Sequence, residues 1–476
     1  MMPPINAITT LTIKGFRGFS SEKSISFAQP NGAPGSGLTT IVGPNNSGKS
    51  SIAEAITAVT QDNSSPPTFS EGKRNKSGGD AVRITVTDIN GNTRVLRTVD
   101  SGGSETVFEG DITQPPENQI FTLQSRRSFS PFFGKSSQER AQYINNTQQL
   151  KNTREGQGDL SSRIFYINNT EGKRADFELV LAKVLDPLPL WTIEQTDQGN
   201  YYLKYSYGTH SHSSDGLGEG LLSIFYIVDA LYDSSPGSVV VIDEPELSLH
   251  PQLQTRVKNL LLEYSANRQI IISTHSPKFI SWESISNGAT IVRVTNGDEG
   301  IQINQLDEPA RLAISGYLSD VNNPHTLGLQ ANEAFFLFDK VVLVEGQEDV
   351  MFFPKVLQSL ELDLDGALFG WGVGGADKMH LIATILNSLG FKKVAGILDG
   401  DKATEVLGLN RTFEQYFFTA HPADDIRKKV KYPDKSSLLN DDYSEVRTEF
   451  QKMTREMLNQ VNSYLNNGKK PVVSKE

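Results

Sequence analysis

Gly43-Pro44-Asn45-Asn46-Ser47-Gly48-Lys49-Ser50 sets two glycines, a lysine and a serine at the spacing of a phosphate-binding loop. The chemistry dictates the residue types. Glycines let backbone N–H groups turn onto phosphate oxygens, and a helix that follows adds its positive N-terminal end. Lys49 is placed to pair with the β- and γ-phosphates of ATP, and the Ser50 hydroxyl to reach Mg2+. Asn45, Asn46, Ser47 and Gly48 form the rest of the cradle. Further on, the apolar run Val239-Val240-Val241-Ile242 ends in Asp243 and Glu244. Asp243 is expected to hold Mg2+ through water, and Glu244 to orient or deprotonate an attacking water.

A second group of acids follows. Val341-Val342-Leu343-Val344 delivers Glu345 at a strand end, with Gly346 next and Glu348 and Asp349 on the following turn. Asp399-Gly400-Asp401 ends another apolar run. A spacing of two with glycine between can aim both carboxylates at one cation, and hard oxygen ligands suit Mg2+ or Mn2+. Asp349, Asp424 and Asp425 are further candidate ligands, since two metals need more carboxylates. Asp424 and Asp425 equally fit a polar helix start with acids near its positive end. Arg427, Lys428, Lys429 and Lys431 either follow a nucleic-acid backbone or form a solvated face, and Lys469-Lys470 offers a candidate catalytic lysine.

The first group has the company of an ABC-type ATPase. Pro245-Glu246-Leu247-Ser248-Leu249-His250-Pro251 resembles the loop after the Walker B strand, and His275 in Thr274-His275-Ser276-Pro277 resembles the switch histidine that senses γ-phosphate. Ser213-Ser214-Asp215-Gly216-Leu217-Gly218-Glu219-Gly220 resembles a degenerate ABC signature, or else is a flexible loop with a helix cap. Gln124 is a candidate Q-loop glutamine, and Arg126 and Arg127 beside it either touch phosphate or are solvated. The signature acts from the opposite subunit, so a homodimer or higher homo-oligomer is expected.

These residues need strands to end at and helices to begin at. Apolar runs at 38–42, 239–242 and 269–273 alternate with helical patterns at 50–59, 221–231 and 252–264, the sign of a parallel α/β sheet. Alternating patterns at 81–99 around Asn90-Gly91 and at 191–207 read as hairpins, and 291–306 as another around Asn296-Gly297. The polar stretch near 125–185 reads as an insertion, partly helical. A second alternation follows: strands at 341–344, 367–371 and 394–398, helices at 350–360 and 378–389, and a final helix at 443–464. The expected fold is α/β: an ABC/SMC-like P-loop ATPase domain over 1–310, a helical connector over 311–338, and a smaller TOPRIM-like parallel α/β domain over 339–476.

Composition narrows the class. The 476 residues exceed one ordinary core. No apolar run is long enough to span a membrane. There is no cysteine, which excludes disulfides and thiolate metal sites and fits a reducing cytoplasm. A net charge of −11 argues against broad DNA coating, although local basic patches remain compatible with it.

Gly43 to Ser50, Asp243-Glu244-Pro245-Glu246, Thr274-His275-Ser276-Pro277, Glu345-Gly346 and Asp399-Gly400-Asp401, in this order, resemble the OLD (overcoming lysogenization defect) family, including Gabija-like and retron-associated effectors. That resemblance implies a TOPRIM domain and Mg2+- or Mn2+-dependent DNA cleavage regulated by the ATPase. It also implies a role in bacterial anti-phage defence, and a helicase-like protein or a reverse transcriptase with its RNA/DNA as partner. Glu345 then acts as ligand or general acid/base, and Asp399 and Asp401 hold metal. The rival is an ATP-dependent DNA-binding or assembly protein, like SMC or RecF heads, with a non-catalytic TOPRIM. A topoisomerase needs a tyrosine nucleophile, for which Tyr416 and Tyr432 are open.

Overall fold

The computed structural model describes residues 7–61, 63, 66–100, 103–112, 120–125, 134–147, 160–207, 210–213, 218–298, 300–318, 332, 339–429, 431–432 and 434–471. The chain forms two compact units, Met1–Ile303 and Asn304–Glu476.

The first unit is built on a six-stranded sheet in the order Gly300–Gln305, Thr290–Gly297, Leu38–Val42, Gln269–Ser273, Val239–Asp243, Ile120–Leu123. The middle four strands of this order pair in parallel, as does the last with its neighbour. Leu38–Val42, Gln269–Ser273 and Val239–Asp243 are buried at every residue, as expected of parallel strands covered on both faces. A five-stranded antiparallel sheet holds Lys23–Ser26, Ile8–Lys14, Arg83–Asp88, Thr93–Thr98 and Thr106–Gly110 in that order. The Gln269 side chain ties the two sheets, bonding the Ile8 N–H and carbonyl at 3.0 and 2.8 Å and the Ala28 carbonyl at 3.0 Å.

The phosphate-loop helix, Lys49–Val59, lies between these sheets, burying Ile52, Ala55, Ile56 and Val59. Fully buried Arg94 holds its far end. Its guanidinium donates to Val59 O and Gln61 O at 2.7 Å each and sits 4.1 Å from the centre of the Phe108 ring. A cation there satisfies helix-end carbonyls and faces the negative end of the dipole.

The polar insertion holds the helices Arg140–Thr147, Leu160–Asn169 and Lys173–Val184, which precede a three-stranded sheet that includes the hairpin Leu190–Gln195 and Tyr201–Tyr207. Arg163, fully buried, pairs at 2.8 Å each with Asp229, in the C-terminal half of helix Glu219–Tyr232, and with Asp233, its C-cap. Arg140 pairs with the same two acids. The two arginines hold Asp233 below the usual carboxylate range against the opposing effect of burial.

The second unit is a four-stranded parallel sheet in the order Ala367–Leu368, Val341–Val344, Val394–Leu398, Phe417–Ala420. Helices Gln347–Ser359, Ala376–Ser388, Ala403–Thr412 and Thr448–Asn467 accompany it. Val461, Tyr464 and Leu465 of the last helix join Val342, Val344 and Ile397 in one core. Glu308–Leu318, expected at the junction of ATPase and connector, packs on Ala376–Ser388. Most of the connector lies outside the described residues. The strand expected over 367–371 stops at Leu368, because Gly370, Gly372, Gly374 and Gly375 all take positive φ and turn the chain.

Candidate functional site

The phosphate loop is shaped by close approaches. Gly43 and Gly48 have φ of 153° and 102°, and a Cβ on either would lie 2.1 Å from Val294 O and 2.3 Å from Ile301 Cδ1. Asn46 is left-handed at φ 60°, its carbonyl accepting from Asn296 Nδ2 at 3.1 Å. Lys49 Nζ donates to Gly43 O and Pro44 O at 2.9 Å each. Burial lowers its pKa, while Asp243, Glu244 and Glu246 pull it back up. The Ser47 hydroxyl is fully buried and makes no hydrogen bond. An orphaned donor inside such a loop fits a phosphate oxygen. Asn45 and Ser50 are exposed at the loop surface.

Strand ends bring the other residues of the ATPase machinery to this loop. Asp243 is buried and accepts from Ser273 Oγ. Glu244 has φ 51°, its N–H donates to Ser273 O at 2.8 Å, and its Oε1 lies 3.7 Å from His275 Nε2. Burial, and then the Lys49 charge, lower the His275 pKa, so the ring is neutral near pH 7. Glu246 accepts from Thr274 Oγ1 at 2.8 Å and from the His275 N–H at 2.5 Å, joining the two loops. Glu246 was not singled out from the sequence. The register pairs Leu123 with Ile242, which sets Gln124 level with Asp243. Of the signature-like segment, 214–217 lie outside the described residues, as do Arg126 and Arg127. Its end opens helix Glu219–Tyr232, where Glu219 accepts from Ser248 Oγ at 2.9 Å.

In the second unit, Glu345, Asp349, Asp399 and Asp425 line one cavity of about 390 Å³ with Glu348, Trp371 and Lys429. Asp399 N–H donates to Glu345 Oε1, and Gly346 N–H to Asp349 Oδ2, each at 2.8 Å. Burial, chiefly, raises Glu345; burial and then the Asp399 charge push Asp349 up to about 7. Gathered acids that resist ionisation fit a hard dication, which would supply the missing charge.

The cavity does not collect every expected ligand. Asp401 pairs with Lys435 at 2.6 Å and Lys402 at 3.6 Å instead. The chain turns into a 3-10 helix over Gly400–Lys402, so a spacing of two no longer puts both acids on one side. Asp424 is bonded to the Ser436 N–H and hydroxyl at 2.9 and 2.8 Å. Asp425 joins the cavity wall but holds Lys429 at 2.5 Å. Among the described residues, no three His, Asp or Glu side chains converge as a metal cage. The reason is visible: several carboxylates are engaged by cationic or N–H partners. Lys470 caps the Asn410 and Phe413 carbonyls at 3.4 Å each and is not part of the cavity lining, whereas Lys429 is. Tyr416 is fully buried with its hydroxyl on Phe391 O at 2.8 Å, which removes it as a nucleophile.

His421 was missed from the sequence as a site residue. It is buried, and its Nε2 lies 2.9 Å from Asp399 Oδ1. Ala423 N–H points at Nδ1 (3.4 Å), which leaves Nε2 as the N–H that donates to Asp399. A histidine one residue past a buried strand, level with the Asp-Gly-Asp strand, was the available signal.

Two family models match the chain. The model described as "AAA domain, putative AbiEii toxin, Type IV TA system" matches residues 38–281, from the phosphate-loop strand past His275. The chain belongs to that family. The overcoming lysogenization defect protein-like TOPRIM domain model matches 336–401, so the AAA-family chain has the two-domain order of OLD nucleases. It is similar to endonuclease GajA of Bacillus cereus (strain VD045), with 29% identity over 36% of this chain and 29% of that one. The Old nuclease of Escherichia phage P2 is 28% identical over 33% and 26%, and the OLD nuclease of Thermus scotoductus 31% over 32% and 28%. The match thus spans less than a third of each relative's length.

Proposed function

We propose that this chain is an ATP-regulated, divalent-metal-dependent DNA endonuclease or nickase, a cytoplasmic effector of bacterial anti-phage defence. The observation that carries the reading is the single cavity lined by Glu345, Asp349, Asp399 and Asp425 at the C-terminal edge of a parallel sheet. The nuclease names of the relatives support it. Glu345, Asp349 and Asp399, with Asp425, would hold Mg2+ or Mn2+, which supplies Lewis-acid activation of water and phosphate. Asp401 and Asp424 are recruited from their present partners or stay outside. His421 fixes the rotamer of Asp399, and Lys429 places a positive charge at the wall where a phosphate arrives.

At the nucleotide site, Gly43 to Ser50 bind the ATP phosphates, with Mg2+ held by Ser50 and Asp243. Glu244 orients water, and neutral His275 senses the terminal phosphate through its contact with Glu244. A homodimer completes the site, the segment before helix Glu219–Tyr232 reaching across. A helicase-like protein, or a reverse transcriptase with its RNA/DNA, is the partner class.

One observation favours a second reading. Several carboxylates are already engaged, and Asp401 pairs with Lys435 and is not part of the cavity lining, which suits an SMC- or RecF-like ATP-dependent DNA-binding protein with a non-catalytic TOPRIM. Plasmid cleavage by the purified protein, with Mg2+ or Mn2+ and with or without ATP, separates the two. Asp399→Ala is expected to abolish cleavage while ATP binding survives. Full nuclease activity in that variant would sink the assignment.

A further inference from the structure

Trp371 has an unusual setting for a large aromatic. In an extended strand residues 369, 371 and 373 share one face. Phe369 and Val373 obey this and are buried, yet Trp371 between them is 39% exposed. The cause is on either side of it: Gly370 and Gly372 have φ of 50° and 84°, which reverses the direction of the intervening side chain. The loop is not loose. Gly374 and Gly375 N–H groups both donate to the Glu345 carbonyl at 2.8 Å, and Val373 N–H to Val344 O at 2.9 Å. A Cβ on Gly372 would lie 2.6 Å from the Gly346 backbone, so the glycine loop and the acidic loop touch back to back. Trp371 thereby joins the lining of the cavity that contains Glu345, Asp349 and Asp399, and Lys429 is part of the same lining.

An aromatic side chain, a cation and a group of acids lining one concave site match the three parts of a nucleotide: base, phosphate and scissile ester. A base can stack on a side chain only once it has left its own helical stack. We propose that Trp371 is a stacking platform for an unpaired nucleobase, so that the acidic cavity receives single-stranded or frayed DNA in preference to an intact duplex. This rests on the nuclease reading above and specifies the form of its substrate.

The tryptophans make the test direct. Trp191 and Trp282 are 0% and 4% exposed, so stacking at Trp371 is the source expected for ligand-induced quenching. The full chain in EDTA is titrated with an unlabelled dT oligonucleotide and with a blunt duplex, reading tryptophan emission. Anisotropy of labelled versions gives the affinities. Quenching by the single strand and not the duplex is expected, absent in Trp371→Phe. Trp371→Ala should weaken single-strand binding about 5- to 150-fold with Trp371→Phe restoring most of it, and with duplex binding nearly unchanged. Circular dichroism melts establish that both variants fold, and Trp371→Phe carries the test if Trp371→Ala does not. If wild type binds or cleaves DNA but its emission does not change, or if Trp371→Ala binds the single strand as wild type does, stacking is overturned, while the nuclease reading is decided separately by the plasmid-cleavage assay. A wild-type protein that neither binds nor cleaves any DNA overturns both.

Discussion

The two sites solve opposite problems. The nucleotide site is made mainly by backbone: Gly43 and Gly48 leave no room for a Cβ, and Lys49 is bonded to carbonyls of its own loop. The acidic site is made by side chains that hold one another: Asp399 on His421, Asp425 on Lys429, Asp401 on Lys435. Backbone shape persists whatever is bound, so the first site is set before its ligand arrives. Side-chain pairs are exchangeable, so on the nuclease reading the second would trade partners to take up a metal. The same contrast runs through the charges. The first unit buries Arg163 and Asp229 completely, whereas Asp401 and Lys435 remain 28% and 43% exposed.

Breaking the contrast gives graded effects. The largest is expected at the buried network. Arg163→Ala leaves Asp229 and Asp233 without their main partner and should cost about 3–5 kcal/mol of stability in denaturant titrations of the full chain. Next comes Lys49→Ala, which removes a charge-assisted bond to phosphate. ATP affinity by calorimetry should fall roughly 10- to 150-fold, from about 1.5–3 kcal/mol. His421→Ala is a comparable but smaller loss at the other site: Mn2+ affinity should fall about 10- to 100-fold, because the His421 N–H orients the Asp399 carboxylate. His421→Gln keeps a donor and should recover part of it. An unchanged Mn2+ isotherm in His421→Ala would remove the residue from the site. The mildest effect is titration of Asp349. Its acid form is held up to about 7, so protons compete with metal below that pH. Mn2+ affinity should therefore rise with pH toward 7, by at most roughly tenfold per unit for one proton, and level off above it. Asp349→Asn should flatten the profile.

The same contrast explains what could be read in advance. Glycine spacing and buried strands encode backbone geometry, so the phosphate loop, Asp243, Glu244 and His275 were legible and the structure brings them together. Glu345 and Asp399 were legible for the same reason, as each follows an apolar strand. The placement of Asp401 outside the cavity lining was not, because the spacing argument assumed an extended chain where a 3-10 turn forms. His421 and Glu246 were given no role of their own because those roles depend on hydrogen bonds across loops distant in sequence. The helix Ala403–Thr412 and strand Phe417–Ala420 were also overlooked, and that strand leads directly into His421. Trp371 was read as the end of a strand, and only the left-handed glycines around it show otherwise.

Lys435 and Ser436 are neighbours, and they hold Asp401 and Asp424 respectively. A dication that recruits Asp401 must expel the Lys435 ammonium. On the nuclease reading the acidic half would then act as an ion exchanger, freeing a tethered ammonium from its carboxylate for the metal it accepts there. That released charge is free to attract a phosphate backbone. Loading the metal and gripping the polyanion would thus be two sides of a single swap.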